Sequence, residues 1–335
     1  GSGKTTLGIQ LCVEAMRSEM MAAAEEQRAP KQVYFVSYEQ TEEYIRHRMV
    51  ANAAGIQLDT IKNMTDPATD LSRRGNYKPY EEAMFLARTR EEREADPEPK
   101  GEYERFLDVR PMLNKCMRIV DFCQQGGQPG NIGSGFVDEI HMALERDIRE
   151  TGSQPALVVV DYVYAACMRK IGDSLTDISN LRHLVTIFPD EVKRKVAERY
   201  EIPVWVMHQF SGDANEKSPL KLLDHSQASE SKSFAMYLSF CVCFGNRDPA
   251  NHCLRMQVTK RRRAGDHQPP SLLRIDGQMA RLVSADSTHK IDKVANKILV
   301  NEVANRFQGS VEESEQNQVR SYRQFSADGA GYHGI

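Results

Sequence analysis

No stretch of eighteen apolar residues occurs anywhere in this sequence, so it offers no candidate for a helical membrane span, and no membrane partner is expected. Nothing at its start resembles a secretory leader, and the expected location is cytoplasmic. Its seven cysteines include no CxxC pair, and its nine histidines fall at no metal-ligand or triad spacing. That pattern argues against structural zinc and reads the thiols as reduced and mostly buried. Positive charge is not in excess: 44 basic residues face 47 acidic ones, for a net charge of -3. No overall field advertises nucleic acid, so any such contact has to come from local patches. An initiating methionine is also lacking, and the first residues already belong to a motif, so a segment is expected upstream of Gly1.

What is present is an alternation of helical and strand patterns. Leu7, Leu11 and Ala15 recur at helical spacing from Lys4 to about Met21, and the β-branched and aromatic run Gln32 to Tyr38 reads as a buried strand. Thr41 to Ala54 returns to helical spacing. Between residues 58 and 111 the composition turns charged and proline-dotted, which predicts a largely helical surface insertion with a mobile acidic middle. Strand patterns resume at Cys116 to Cys123 and, after a glycine-rich loop and a helix from Phe136, at the apolar run Ala156 to Asp161, which suits a parallel strand covered on both faces. A helix over about Ile178 to Tyr200, the strand PVWVMHQ, a polar loop and three closely spaced strand segments follow. The pattern predicts an α/β fold, a mainly parallel sheet with antiparallel edge strands, spanning 1–285 as one core. Residues 286–335 read as an amphipathic helix, with Ile291, Val294, Ile298 and Val303 on one face, and a disordered tail.

The run Gly1-Ser2-Gly3-Lys4-Thr5-Thr6 matches the second half of the phosphate-binding pattern G-x-x-x-x-G-K-[ST]. Glycines let successive backbone N–H groups close around phosphates, a lysine at Lys4 neutralises the β and γ groups, and a hydroxyl at Thr5 suits magnesium. Asp161, at the end of an apolar parallel strand, stands where open α/β sheets bind ligands and would complete the magnesium shell. Its plainer reading is a strand-end cap. Hydrolysis also needs a group that orients and activates water. No glutamate adjoins Asp161-Tyr162, which leaves Glu39, directly after the first strand. A helix-start acid is the alternative for Glu39.

With those residues in view, YFVSYEQTEEYIRHRMVA, LVVVDYVYA, IPVWVMHQF and VTKRRRAGDHQPPSLLRIDGQMARLV resemble the C-terminal ATPase domain of DnaB-type replicative helicases, within the wider RecA and KaiC group. The resemblance runs from Gly1 to about Val283, apart from the charged insertion. It implies a RecA-like P-loop core using ATP and Mg2+, assembled as a homo-oligomeric ring, a hexamer in that family, that translocates on single-stranded DNA and meets a primase or loader. It places the catalytic base on Glu39, a nucleotide-site arginine on Arg48, and a residue coupling nucleotide state to DNA on Gln209. Val163 and Tyr164 stand where the family has leucine and glutamine. The segment Lys260 to Gly265 resembles the family's K-x-R-N-G, which puts an arginine finger on Arg263 with Arg261 beside it, or, one residue slipped, on Arg262 with Lys260. A solvated basic hairpin is the alternative. The family's DNA-facing loops match Tyr164 to Thr176, with Arg169 and Lys170, and Phe210 to Lys232, with Lys217, Lys221 and Lys232.

Overall fold

The computed structural model describes residues 3–62, 101–123, 136–171, 178–209, 234–245, 252–261 and 271–284. The chain alternates helix and strand through its first two thirds. Helix α1 (Lys4–Glu25) leads to β1 (Gln32–Ser37) and α2 (Glu42–Ala54), with a single turn α3 (Leu58–Ile61) after it. Helix α4 (Glu102–Cys116) feeds β2 (Met117–Asp121), α5 (Phe136–Thr151) feeds β3 (Pro155–Asp161), and α6 (Val163–Ile171) follows at once. Helix α7 (Ile178–Val192) continues through a π turn (Lys193–Ala197) to Tyr200 and precedes β4 (Val204–Val206). The four strands form one sheet in the order β2-β1-β3-β4, every pairing parallel.

Because successive strand residues face opposite sides, a sheet covered on both faces needs apolar side chains throughout. Strand β1 meets that demand with all six of its residues buried. Val33 and Phe35 join Leu157 and Val159 against Ile9, Val13 and Met16 of α1, Ile45 and Met49 of α2, and Phe106 and Leu113 of α4. Tyr34 and Val36 join Val158 and Val160 on the other face, against Ile140 and Leu144 of α5, Ala166 of α6, and Val185 and Phe188 of α7. Helix α1 lies so close to the sheet that a Cβ on Gly8 would sit 2.8 Å from Met207 Cε and 3.1 Å from Val159 Cγ1. The absent side chain sets that approach.

The C-terminus of α2 is held by arginines from three elements. Arg17 of α1 donates to the Ala53 carbonyl at 3.0 Å. Arg105 of α4 donates to Ala54 at 2.9 Å and Gly55 at 3.2 Å. Arg281 donates from Nε to the Asn52 carbonyl at 3.0 Å and from Nη2 to the same oxygen. Cations there satisfy carbonyls that have no partner within the helix and complement its dipole.

Four later strands, β5 (Phe240–Phe244), β6 (Cys253–Arg261), β7 (Ser271–Asp276) and β8 (Arg281–Ser284), make a separate antiparallel meander, whereas the sequence pattern suggests antiparallel edges on one sheet. Strand β8 is too short and too quickly reached from β7 to register as its own period. The meander packs on the start of α1: Leu7 lies against Phe244, Leu254 and Leu282. The Leu282 N–H donates to Gln10 Oε1 at 2.9 Å.

Two expectations change. The insertion expected over 58–111 ends earlier, because α4 starts at Glu102 and buries Phe106, Met112, Leu113 and Cys116 in the core. The stretch matched to a DNA-facing loop, Tyr164 to Thr176, is helical over Val163–Ile171, since Val163, Ala166 and Cys167 recur at helical spacing and bury one face. The centre of the insertion and residues 286–335 lie outside the described residues.

Candidate active site

Three chain segments converge at the C-terminal ends of β1 and β3 and the start of α1. Gly3 precedes α1 in a left-handed conformation, φ 78°, that glycine adopts without a Cβ clash. A Cβ there would stand 3.1 Å from Leu254 Cδ2 and 3.4 Å from Ile275 Cδ1, so the meander backs this turn closely. One residue into the helix, the Thr5 hydroxyl donates to Asp161 Oδ2 at 2.7 Å. Thr6, buried at the next position, accepts from Arg48 Nη2 at 2.8 Å, and the Arg48 guanidinium lies 5.7 Å from the centre of the Tyr44 ring.

The electrostatics bind the same residues together. Asp161 is 1% exposed. Burial raises its carboxyl above the ordinary carboxylate range, with the Glu39 charge adding to the rise, while the Thr5 hydrogen bond and the Lys4 and Arg48 charges oppose it. Burial likewise lowers the Lys4 ammonium, against the attraction of Asp161 and Glu39. Lys4, Glu39, Arg48 and Asp161 are therefore within electrostatic reach of one another although they come from four parts of the chain. Tyr162, joined to Asp161 by a cis peptide bond, has its hydroxyl raised by burial and then by the Glu39 charge, and hydrogen-bonds to the Gln209 side chain. Gln209 is carried there by backbone bonds that extend the β3–β4 pairing: Met207 N–H to the Val160 carbonyl at 2.9 Å, and Val163 N–H to Met207 at 3.0 Å.

Of the residues expected from the sequence, Lys4, Thr5, Thr6, Glu39, Arg48, Asp161 and Gln209 come together, with Gly3 at the turn before them. Gly1, Ser2, Arg262, Arg263, Lys217, Lys221 and Lys232 lie outside the described residues. Arg261 ends β6, and Arg169 and Lys170 lie in α6, but the placement of these three side chains is likewise outside them. Among the described residues no group of three His, Cys, Asp or Glu side chains could hold a metal by itself. A hydroxyl and a carboxylate at 2.7 Å are hard oxygen donors that fit Mg2+, an ion that keeps waters and shares phosphate oxygens with few protein ligands.

Sequence reasoning passed over Asp121 and Tyr162 as site residues. A signal existed for the first: β2 closes on MRIVD as β3 closes on ALVVVD, two apolar strands ending in aspartate. For Tyr162 nothing in the spacing indicates that its hydroxyl reaches Gln209. No helix among the described residues is long and apolar enough to cross a membrane.

No protein-family model matches the chain, and no curated protein does. Solved structures match in shape. The ATPase domain of a DnaB-like helicase, solved as a separate domain, superposes with a TM-score of 0.54 at 14% identity, over 85% of this chain and 81% of that one. A DnaB-like replicative helicase, solved with attention to its interactions with primase, superposes with a TM-score of 0.53 at 13% identity, over 84% of this chain and 55% of that one. The chain thus spans little more than half the length of that helicase. At such identities the likeness establishes the fold, a mixed α/β RecA-like ATPase core with a parallel sheet, and agrees with the resemblance drawn from the motifs.

Proposed function

We propose that this chain binds ATP with magnesium and hydrolyses it as the motor of a ring-forming DNA helicase. The observation that carries the reading is the Thr5–Asp161 hydrogen bond, with Lys4 and Glu39 in the same charge cluster. It joins a helix start suited to phosphate to the acidic end of a buried parallel strand, the crevice in which such sheets bind ligands. In this reading the backbone of Gly1 to Thr6 holds the phosphates, and Lys4 offsets the charge of the β and γ groups. Thr5 and Asp161 hold the magnesium, which when bound polarises the γ-phosphate. Glu39 takes a proton from water as the water oxygen bonds to the γ-phosphorus, and the bond to the departing ADP oxygen breaks.

Gln209, beside Tyr162, relays nucleotide state to DNA. Arg263 with Arg261, or the slipped pair Arg262 and Lys260, comes from the neighbouring subunit of a hexamer. Arg169, Lys170, Lys217, Lys221 and Lys232 face single-stranded DNA, and a primase or loader is the expected protein partner. The reading is supported by the fold shared with helicase ATPase domains and by the motif order along the chain.

ATP hydrolysis by the full-length protein, measured with and without single-stranded DNA and alongside displacement of a labelled strand, tests it. Stimulated hydrolysis with displacement is the expected result. Hydrolysis without displacement would turn the reading toward a RecA- or KaiC-like assembly ATPase, and no hydrolysis in any condition would overturn it.

A further inference from the structure

Asp121 closes β2, and its two carboxylate oxygens are taken by two separate backbone donors. Oδ2 accepts from the Glu42 N–H at 2.9 Å and Oδ1 from the Cys123 N–H at 2.7 Å. Glu42 is the first residue of α2, a helix already capped by Thr41, whose Oγ1 accepts from the Tyr44 N–H at 3.4 Å. The bond from Asp121 is thus additional to the helix's own cap. It also completes a series of restraints along the turn that leads from β1 to α2. The Tyr38 N–H donates to the Asp161 carbonyl at 2.8 Å. The Gln40 N–H donates to Ser37 Oγ at 3.0 Å, and that hydroxyl donates back to the Gln40 carbonyl at 2.6 Å. The Tyr38 ring stacks on Phe122 with centres 5.0 Å apart. Glu39 lies between these fixed points and is the exposed residue of the turn.

We infer that Asp121 is a positioning residue for Glu39: by holding the Glu42 N–H it fixes where the turn ends, and with it the carboxylate that meets the attacking water. This rests on Glu39 being the base proposed above. Burial and the neighbouring Asp121 and Glu39 charges push the Cys123 thiol up to about 11, which is consistent with all three side chains sharing this corner. A base must come within hydrogen-bond reach of its proton, and a misplacement of about 1 Å can cost roughly a hundredfold in rate. An ordinary cap, by contrast, would affect stability alone.

Two substitutions in the full-length protein separate the roles. Asp121→Asn leaves one acceptor oxygen where there were two. Glu42→Pro removes the N–H itself, at a first helical position where proline fits, after a Thr41 whose φ -65° and ψ 155° suit a residue before proline. Both are expected to lower kcat roughly ten- to a hundredfold while KM for ATP stays within about twofold of wild type. Glu42→Ala keeps the N–H, loses only the side chain and its ion pair with Arg46, and should remain within about twofold of wild type. In a Glu39→Gln background, Asp121→Asn should lower the residual rate no further, because nothing is left to position. Wild-type kcat in both variants, or an undiminished loss in the Glu39→Gln background, overturns the proposal. If Asp121→Asn does not fold, Glu42→Pro decides alone; if neither folds, the contact is structural and the proposal falls. Wild-type turnover in Glu39→Gln by itself removes the base assignment instead, a distinct outcome.

Discussion

Thr5 and Asp161, 156 positions apart in the chain, meet through a hydroxyl-to-carboxylate hydrogen bond of 2.7 Å. The contact places the start of α1 against the end of β3, and the proposed chemistry depends on that juncture. It also creates a conflict between stability and use. Burial raises the Asp161 carboxyl, so before ligand arrives its ionised form is held at a cost.

Asp161→Asn is therefore expected to leave the nucleotide-free protein as stable as wild type, or more so, near pH 7, while abolishing magnesium-dependent hydrolysis. The sign follows from linkage. With a folded-state pKa above the unfolded one, the native protein binds more protons between the two values, so stability falls as pH rises through that window, and the penalty is complete above it. Asparagine has no such penalty. Thermal melts from pH 4 to 8, with and without Mg2+ and ATP, check this. A large loss of melting temperature in the ligand-free variant would contradict it.

Lys4→Ala should reduce turnover by roughly a thousandfold or more, because it removes the charge that steadies the transferring phosphoryl group. Burial already lowers this ammonium, and Asp161 and Glu39 restore part of its charge preference, so an uncharged replacement leaves the two carboxylates without their counter-ion. Turnover near the wild-type rate would remove the phosphate-loop assignment.

Arg281→Ala tests a purely structural claim. Its guanidinium donates twice to the Asn52 carbonyl at the end of α2, and charged hydrogen bonds contribute roughly 1.5–3 kcal/mol each before solvent exposure is allowed for. With the side chain partly exposed, a loss of about 1–2 kcal/mol is expected, or a melting temperature lower by roughly 2–8 °C. Arg281→Lys should not restore it, since one ammonium cannot supply the paired Nε and Nη2 donors. An unchanged melting temperature would show that Arg17 and Arg105 suffice.

The parallel core was legible because its strands are apolar on both faces; Gln32 to Ser37 and Pro155 to Asp161 admit few other readings. Most of the site was legible as well, because Lys4, Thr5 and Asp161 are residue types at fixed places on helix and strand ends. What escaped depends on contacts between distant segments. Phe106 to Cys116 reads as charged insertion until its buried face is seen against β1 and α2. Asp121 looks like any strand-end aspartate until its oxygens are found on Glu42 and Cys123. The separate antiparallel meander was hidden for the same reason, since pattern alone reports strands and says little about which sheet they join.

The coupling of nucleotide to DNA is where Tyr162 becomes testable. Its hydroxyl is hydrogen-bonded to the Gln209 side chain and lies within the influence of Glu39 and Asp161. Burial raises that hydroxyl above its ordinary value, so it keeps its proton across the physiological range and serves as a neutral polar link. Gln209 leads directly into the segment proposed to face DNA, and its position is fixed by the backbone bonds between Met207, Val160 and Val163. If nucleotide state passes along this route, deleting either end of the side-chain contact should have the same consequence. Gln209→Ala and Tyr162→Phe are each expected to bring the ratio of DNA-stimulated to unstimulated hydrolysis down toward one, and the double variant should be no worse than either single variant, as for two groups acting through one contact. Tyr162→Phe keeps the ring and so its stacking on Tyr164, whose centre lies 6.4 Å away; a defect there would belong to the hydroxyl and not to packing. Measurement of hydrolysis across a titration of single-stranded DNA reads the ratio directly. A full stimulation ratio in Tyr162→Phe together with a lost one in Gln209→Ala would place the relay on another partner of Gln209, and additive losses would mean that the two residues act independently.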